Sequence, residues 1–301
     1  MSELVTIFAD ILGPVFVLVA IGFGFGRRFS IDPMPLARFA YYILAPAFIY
    51  DVLAGSHLSG DVVARMAAAL LIVSAVVIGV AVVAGRLAGR SSSTIAALVL
   101  VAVYGNVGNF GLPIVSFKFG EDSLALASVA FLVVNVLAFI IGVTAATWRH
   151  SHPLVAIVKA LTTPAVAVVP FAVAANVSKT ELPPIADRPI SLLAAALIPV
   201  MLVTLGAQLA AMRRPRITAD VLLGSGIRLV IAPLAAVAAT ALVGLSGVPS
   251  GVIVLQSAMP AAVFASIIAM EHDLEPELVT TTVLFTTLAS AVTLAVTLAF
   301  V

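Results

Sequence analysis

Val103-Tyr104-Gly105-Asn106-Val107-Gly108-Asn109-Phe110-Gly111-Leu112-Pro113 puts two asparagines, three glycines and a proline inside residues 94–120, a run otherwise mostly apolar and long enough to cross a bilayer. Each interior glycine costs a helix about 1 kcal/mol and each interior proline about 3 kcal/mol. In lipid the freed backbone groups cost several more unless something satisfies them. Such a cluster persists only where the broken backbone is buried in protein or lines a wet cavity.

The rest of the chain makes the bilayer the right solvent to reason in. Of 301 residues, 62% are apolar and 10% charged, with a mean hydropathy of +1.24. A soluble domain carries about 25% charged residues, so this chain cannot cover a water-facing surface. A soluble enzyme, a nucleic-acid binder and a disordered chain are excluded on that ground. The net charge of +1 says nothing about acidic partners, and the absence of cysteine excludes disulfides and thiolate metal sites. Arginine outnumbers lysine 12 to 3 among abundant alanine and valine, a composition that reads as a GC-rich bacterial genome and hence an inner (plasma) membrane.

Ten stretches are long enough to span: residues 5–26, 36–55, 63–88, 94–120, 123–148, 154–176, 189–211, 219–243, 248–271 and 276–301. They leave short loops and no soluble domain. The first is read as a retained span, because Glu3 precedes it, Asp10 lies in it and Arg27-Arg28 follow it, the reverse of a signal peptide. Arg27, Arg28, Arg38, Arg86, Arg90, Arg149, Lys159, Arg213, Arg214 and Arg216 fall on one side, against Arg65, Lys118, Lys179 and Arg188 on the other. Ten against four puts both termini outside. The acidic link Glu271–Glu277 falls inside against the trend, but acidic residues weigh little in that rule.

Five spans in each half, residues 1–150 and 151–301, force opposite topology on the two halves. Prolines recur between them: Pro14 with Pro164, Pro46 with Pro199 and Pro113 with Pro260, at offsets of 150, 153 and 147. The expected fold is all-α and polytopic, two inverted five-helix repeats. The counterpart of the first cluster is Leu255-Gln256-Ser257-Ala258-Met259-Pro260 in the ninth span. Pro260 is about 12 residues into that span, roughly 18 Å at 1.5 Å per residue, near the bilayer middle. Interrupted helices at matching positions of two halves point to a transporter site. Proline suits the first position of a helix, so Pro113 and Pro260 are read as starts of second half-helices. Each such N-terminus carries about half a positive charge, and two together make an anion site without lysine or arginine. Asn106, Asn109, Gln256 and Ser257 would supply neutral donors, and Gly111 is counted with them as a substrate-binding residue. Prolines 14, 164, 170 and 233 are read as ordinary kinks.

Arg228, about ten residues into the eighth span, is the deepest charge. It would attract the anion, pair with a carboxylate, or snorkel to the headgroups. Asp51, near the outer end of the second span, anchors at the surface or stands at an outer mouth. No carboxylate lies at the midplane, which argues against a buried-aspartate proton relay and leaves uniport or coupling through backbone carbonyls. Asn135 and Gln208 read as isolated links between helices. His150 and His152 lack further ligands for a metal. Gly22-Phe23-Gly24-Phe25-Gly26 fits close helix packing, and Asn176-Val177-Ser178 has the form of a glycosylation acceptor.

Gly105–Pro113, Gln256–Pro260 and the Leu44-Ala45-Pro46 step together resemble the signature of the auxin efflux carrier family, which includes plant auxin carriers and bacterial malonate and malate permeases. The resemblance covers nearly the whole chain. It implies a ten-helix inverted-repeat fold similar to bile acid–sodium symporters, with broken helices 4 and 9 crossing at the substrate site. Helices 1, 2, 6 and 7 would form a scaffold, through which a homodimer would assemble, and helices 3–5 with 8–10 a moving bundle. The matching positions are Asn109, Pro113, Gln256, Ser257 and Pro260. The chain lacks the long hydrophilic central loop of many plant members, so auxin itself is not carried over as substrate.

The reading is a secondary transporter of a small mono- or dicarboxylate by alternating access, with no cofactor, metal or nucleic acid. No Walker motif is present, so no ATP drive is expected, and no catalytic pair at depth suggests an enzyme. The alternative is a membrane sensor that binds such an anion without moving it.

Overall fold

A computed structural model of the chain describes residues 7–147, 158, 161–180, 182–211, 216–271 and 273–301. Arg149, Lys159, Arg213 and Arg214 of the charge count, His150 and His152, and His272 of the acidic link lie outside the described residues. Among the described residues the fold is all-helical, without strands. In chain order the helices are α1 (Gly13–Phe29), α2 (Met34–Phe39), α3 (Ala45–Ala54), α4 (Gly60–Leu87), α5 (Ser92–Val103), α6 (Leu112–Phe119), α7 (Leu124–Thr147), α8 (Pro164–Ala167), α9 (Val169–Ser178), α10 (Pro184–Ala211), α11 (Ala219–Gly226), α12 (Ala232–Leu242), α13 (Gly247–Ser257), α14 (Val263–Glu271) and α15 (Pro276–Phe300). Seven continuous helical runs are long and apolar enough to cross a membrane. Two of the three shorter apolar helices, α5 and α13, are short because they stop at the two polar clusters.

Several helix starts are written locally. Ser59, Ser91 and Thr218 accept hydrogen bonds from the amides of Val62, Thr94 and Val221, capping α4, α5 and α11. The prolines follow a second rule. Four widened π-turns, Ile7–Leu12, Ala40–Leu44, Val107–Gly111 and Ile227–Ile231, each end two residues before a proline: Pro14, Pro46, Pro113 and Pro233. A proline in a helix has no N–H to donate and its ring collides with the carbonyl four residues back. Widening the preceding turn relieves the collision and lets the chain continue. Pro14 and Pro233 are thus helix distortions as expected. Pro164 and Pro170 instead stand in the first turns of α8 and α9, where a missing N–H costs nothing.

The helices pack as two groups. In one, α10 lies along α1 and α3, and α9 along α3. In the other, α4 packs on α5, α7 and α12, while α15 holds α11 and α14. The seam between α1 and α10 is a backbone contact. A Cβ on Gly22 would fall 2.0 Å from the Val203 carbonyl oxygen, and one on Gly206 would fall 2.0 Å from that of Val19. The Gly22–Gly26 run therefore does serve close packing. Asn176 on α9 donates its side-chain amide to the carbonyls of Leu53, Ala54 and Ser56, closing the open end of α3.

Candidate functional site

Two interruptions meet inside the second group of helices. The α5 helix ends at Val103, and the chain runs non-helically through Tyr104, Gly105 and Asn106 before helical structure resumes at Val107. The α13 helix ends at Ser257 and α14 begins at Val263. The loose segments pair antiparallel, with Gly105 opposite Ala261. The Asn106 amide donates to the Pro260 carbonyl at 2.7 Å, and the Ala262 amide to the Tyr104 carbonyl at 2.8 Å. Thr286 on α15 accepts from the remaining amide, that of Ala261, at 3.1 Å. Each break thus supplies the hydrogen bonds that the other lacks, which is what backbone without water requires.

This geometry corrects the role given to the prolines. Pro113 does not start the second half-helix of its span. It lies in the first turn of α6, downstream of the π-turn, and the break precedes it at residues 104–106. Pro260 lies within its break, contributing a carbonyl, and the half-helix starts at Val263. Both prolines are buried in protein.

The Arg228 side chain is the second surprise. It is buried, 4% exposed, does not snorkel, and among the described residues pairs with no carboxylate. Its Nε donates to the Met259 carbonyl at 2.9 Å, Nη1 to those of Ala102 at 2.8 Å and Val103 at 3.5 Å, and Nη2 to that of Ser257. Those of Ala102, Val103 and Ser257 are terminal carbonyls of α5 and α13, the groups a helix end leaves unsatisfied, and that of Met259 belongs to the unwound segment after α13. Each helix C-terminus carries about half a negative charge, so two of them balance one guanidinium. A Cβ on Gly105 would come within 3.0 Å of the guanidinium carbon, so glycine there makes room for the arginine.

The opposite ends of the half-helices border a cavity of about 80 Å³. Val107, Gly108 and Asn109 of one restart line it, as do Ala262, Val263 and Phe264 of the other. Its further walls come from α2 and the turn after it (Ala37, Ala40, Tyr41), from α3 (Ala45), from α7 (Phe131, Asn135) and from α10 (Met201, Thr204, Gln208). The cavity therefore lies between the two groups of helices. Asn106 Nδ2, Thr204 Oγ1 and Gln208 Oε1 are buried there without a hydrogen-bond partner among the described residues. Tyr104 donates its hydroxyl to Asn135 Oδ1 at 3.1 Å, and Asn135 in turn donates to the Phe131 carbonyl. Leaving a buried polar group unpaired costs about 1–3 kcal/mol, a cost that water or a polar guest in the cavity would relieve.

The residues expected to flank one anion divide between two places. Asn106 and Asn109 line this cavity. Gln256 and Ser257 line a smaller one of about 20 Å³ with Arg228, Val103 and Val107. Gly111 lies against Gln256, for a Cβ there would fall 1.9 Å from its Oε1. Asp51 lines neither cavity and accepts a hydrogen bond from Ser191 at 2.7 Å. Thr204, Gln208, Asn135, Tyr104 and Thr286 were not singled out from the sequence as site residues. The available signal was that Asn135 and Gln208 are single amides in apolar spans, where a polar side chain needs a partner.

The support from Thr286 is directly testable. Thr286→Val removes the acceptor of the Ala261 amide while keeping the shape, so stability should fall by about 1–3 kcal/mol. Thermal unfolding in detergent measures this, and an unchanged midpoint would show that the amide finds another partner.

Residues 150–298 match the family described as membrane transport protein. A protein of Methanothermobacter thermautotrophicus named as an uncharacterized transporter is 34% identical to this chain over 91 residues, which is 30% of each. The likeness thus spans less than a third of that relative. The apolar helices and the transport-family match make this chain an integral membrane protein.

Proposed function

We propose that the protein is a secondary transporter of a small mono- or dicarboxylate, bound in the cavity beside the crossover and exposed alternately to the two sides of the membrane. The observation that carries this reading is the convergence of two half-helix N-termini, at Val107 and Val263, on one cavity that holds unpartnered polar atoms. Those ends supply positive potential without a cation, as anion sites at helix starts do. The match to a transport family and the transporter-named relative support the same class.

The chain on this reading has ten spans, the interrupted helical runs counting with the seven long ones, arranged as two inverted repeats. Its location is the bacterial inner membrane, with both termini outside. Helices α1, α2, α3, α8, α9 and α10 form the scaffold and the remainder the moving bundle. The packing partition favours this, since the cavity lies where the groups meet. Sliding of one group past the other opens the cavity to either side.

The test is uptake of labelled acetate, lactate, malonate and malate into vesicles reconstituted with the purified chain. Asn106→Ala and Asn109→Ala should each reduce uptake about tenfold, the loss of one or two hydrogen bonds to a charged ligand, with expression unchanged. Full uptake by both variants would remove the cavity from the transport path. Binding without accumulation would make the protein a sensor.

A further inference from the structure

We propose that Arg228 is a tethered resident cation, filling the carbonyl cradle in which a broken-helix transporter would otherwise hold a coupling metal ion. This deepens the transporter reading and rests on it only for the consequence drawn about transport.

In such proteins unwound carbonyls and half-helix C-terminal ends coordinate the coupling cation. Here the corresponding carbonyls, those of Ala102, Val103, Ser257 and Met259, all accept from one guanidinium. Its charge balances the two helix ends, and among the described residues no carboxylate pairs with it. The oxygens left beside it, Gln256 Oε1 and Ser257 Oγ, are neutral and add no net negative charge to attract a second cation. The absence of a midplane carboxylate removes the other common means of coupling. Transport through this crossover therefore runs without sodium or potassium. Truncating the arginine empties a ring of carbonyl oxygens of the hard kind that bind alkali and guanidinium ions.

Thermal unfolding of the purified full chain is measured in sodium, potassium and choline chloride at equal ionic strength. The wild type should unfold at one temperature in all three. Arg228→Ala should unfold about 10 °C or more lower in choline, and regain part of the loss, saturably, in sodium or in millimolar guanidinium. Sodium-specific stabilisation of the wild type overturns the proposal. So does a purified Arg228→Ala protein indifferent to every cation. Arg228→Lys keeps the charge, and should show an intermediate midpoint without a sodium response. A sodium response from it overturns the proposal even where the alanine variant yields no protein. Uptake of labelled malonate and lactate with and without a sodium gradient completes the test. Equal uptake supports the resident cation, and sodium-dependent uptake refutes it. No uptake in any salt removes the transporter reading, while the unfolding data still decide whether Arg228 fills a cation cradle.

Discussion

Gly206→Ala is expected to abolish a well-folded protein. The added methyl carbon would lie 2.0 Å from the Val19 carbonyl oxygen and 2.5 Å from the Phe23 nitrogen. Both are backbone atoms of α1, so no rotamer change makes room, and α1 and α10 must move apart along their whole shared seam. Leu202 and Leu205, wholly buried on α10, and Val15 and Val19 on α1 would lose packing as the helices separate. Overpacking of a core costs about 1–3 kcal/mol where side chains can shift, and a backbone collision sits at or above the top of that range. Helix association in lipid lacks a hydrophobic drive and depends on close packing, which makes the seam less tolerant still. The measurement is the yield of monodisperse protein in detergent, with its unfolding midpoint. Gly24→Ala is the control, because a Cβ there meets nothing within 4 Å. Equal behaviour of the two variants would show that the helices do not touch at Gly206.

That seam was legible in the sequence, as were the apolar runs and the depth of both interruptions. Gly105, Asn106 and Pro260 announced broken helices because their backbone costs have no local remedy in lipid. The sequence could not say which side of the crossover each polar residue faces. In a soluble protein the polar face of a helix reveals its orientation through a 3.6-residue period. The ends of α5 and α13 that reach the crossover are buried on every face, Ala97 to Val103 in one and Gly251 to Ser257 in the other, so their pattern carries no facing information. Hence Gln256 and Ser257 were grouped with Asn109, although they lie with Arg228. Pro113 misled for a related reason. A proline marks a helix start or a widened turn equally well, and the choice depends on carbonyls that only the fold positions. The arginine's partners were beyond reading, since Ala102 is 126 residues away in sequence.

The structure separates the crossover into ends of opposite polarity. The C-termini of α5 and α13 converge on Arg228, while the N-terminal starts at Val107 and Val263 border the larger cavity. Four half-helix ends in one place would be unfavourable without compensation, because like ends face like. The guanidinium relieves one pair. On the proposed reading the other pair is relieved by an anion or by water, and that asymmetry would give the cavity its preference.

Asn109→Asp turns this argument into a second large effect. The substitution is nearly isosteric, and it places a fixed carboxylate in the cavity within the first turn after the break. The residue itself should be tolerated, since acidic side chains in a helix's first turn gain about 0.3–1 kcal/mol from the dipole. A bound carboxylate would then face a like charge at short range. At about 4 Å and an effective dielectric constant near 20, that repulsion is about 4 kcal/mol. Affinity for malonate or lactate should therefore fall by at least about 100-fold, while the unfolding midpoint of the ligand-free protein stays level or rises. Asn109→Ala, by contrast, should weaken binding only about tenfold. The measurement is ligand-induced thermal stabilisation of wild type and both variants across a carboxylate series. Stronger binding of organic cations by Asn109→Asp, with carboxylates bound by none of the three proteins, would mean that the helix starts do not govern the cavity. The guest would then have to be sought among solutes of the opposite charge.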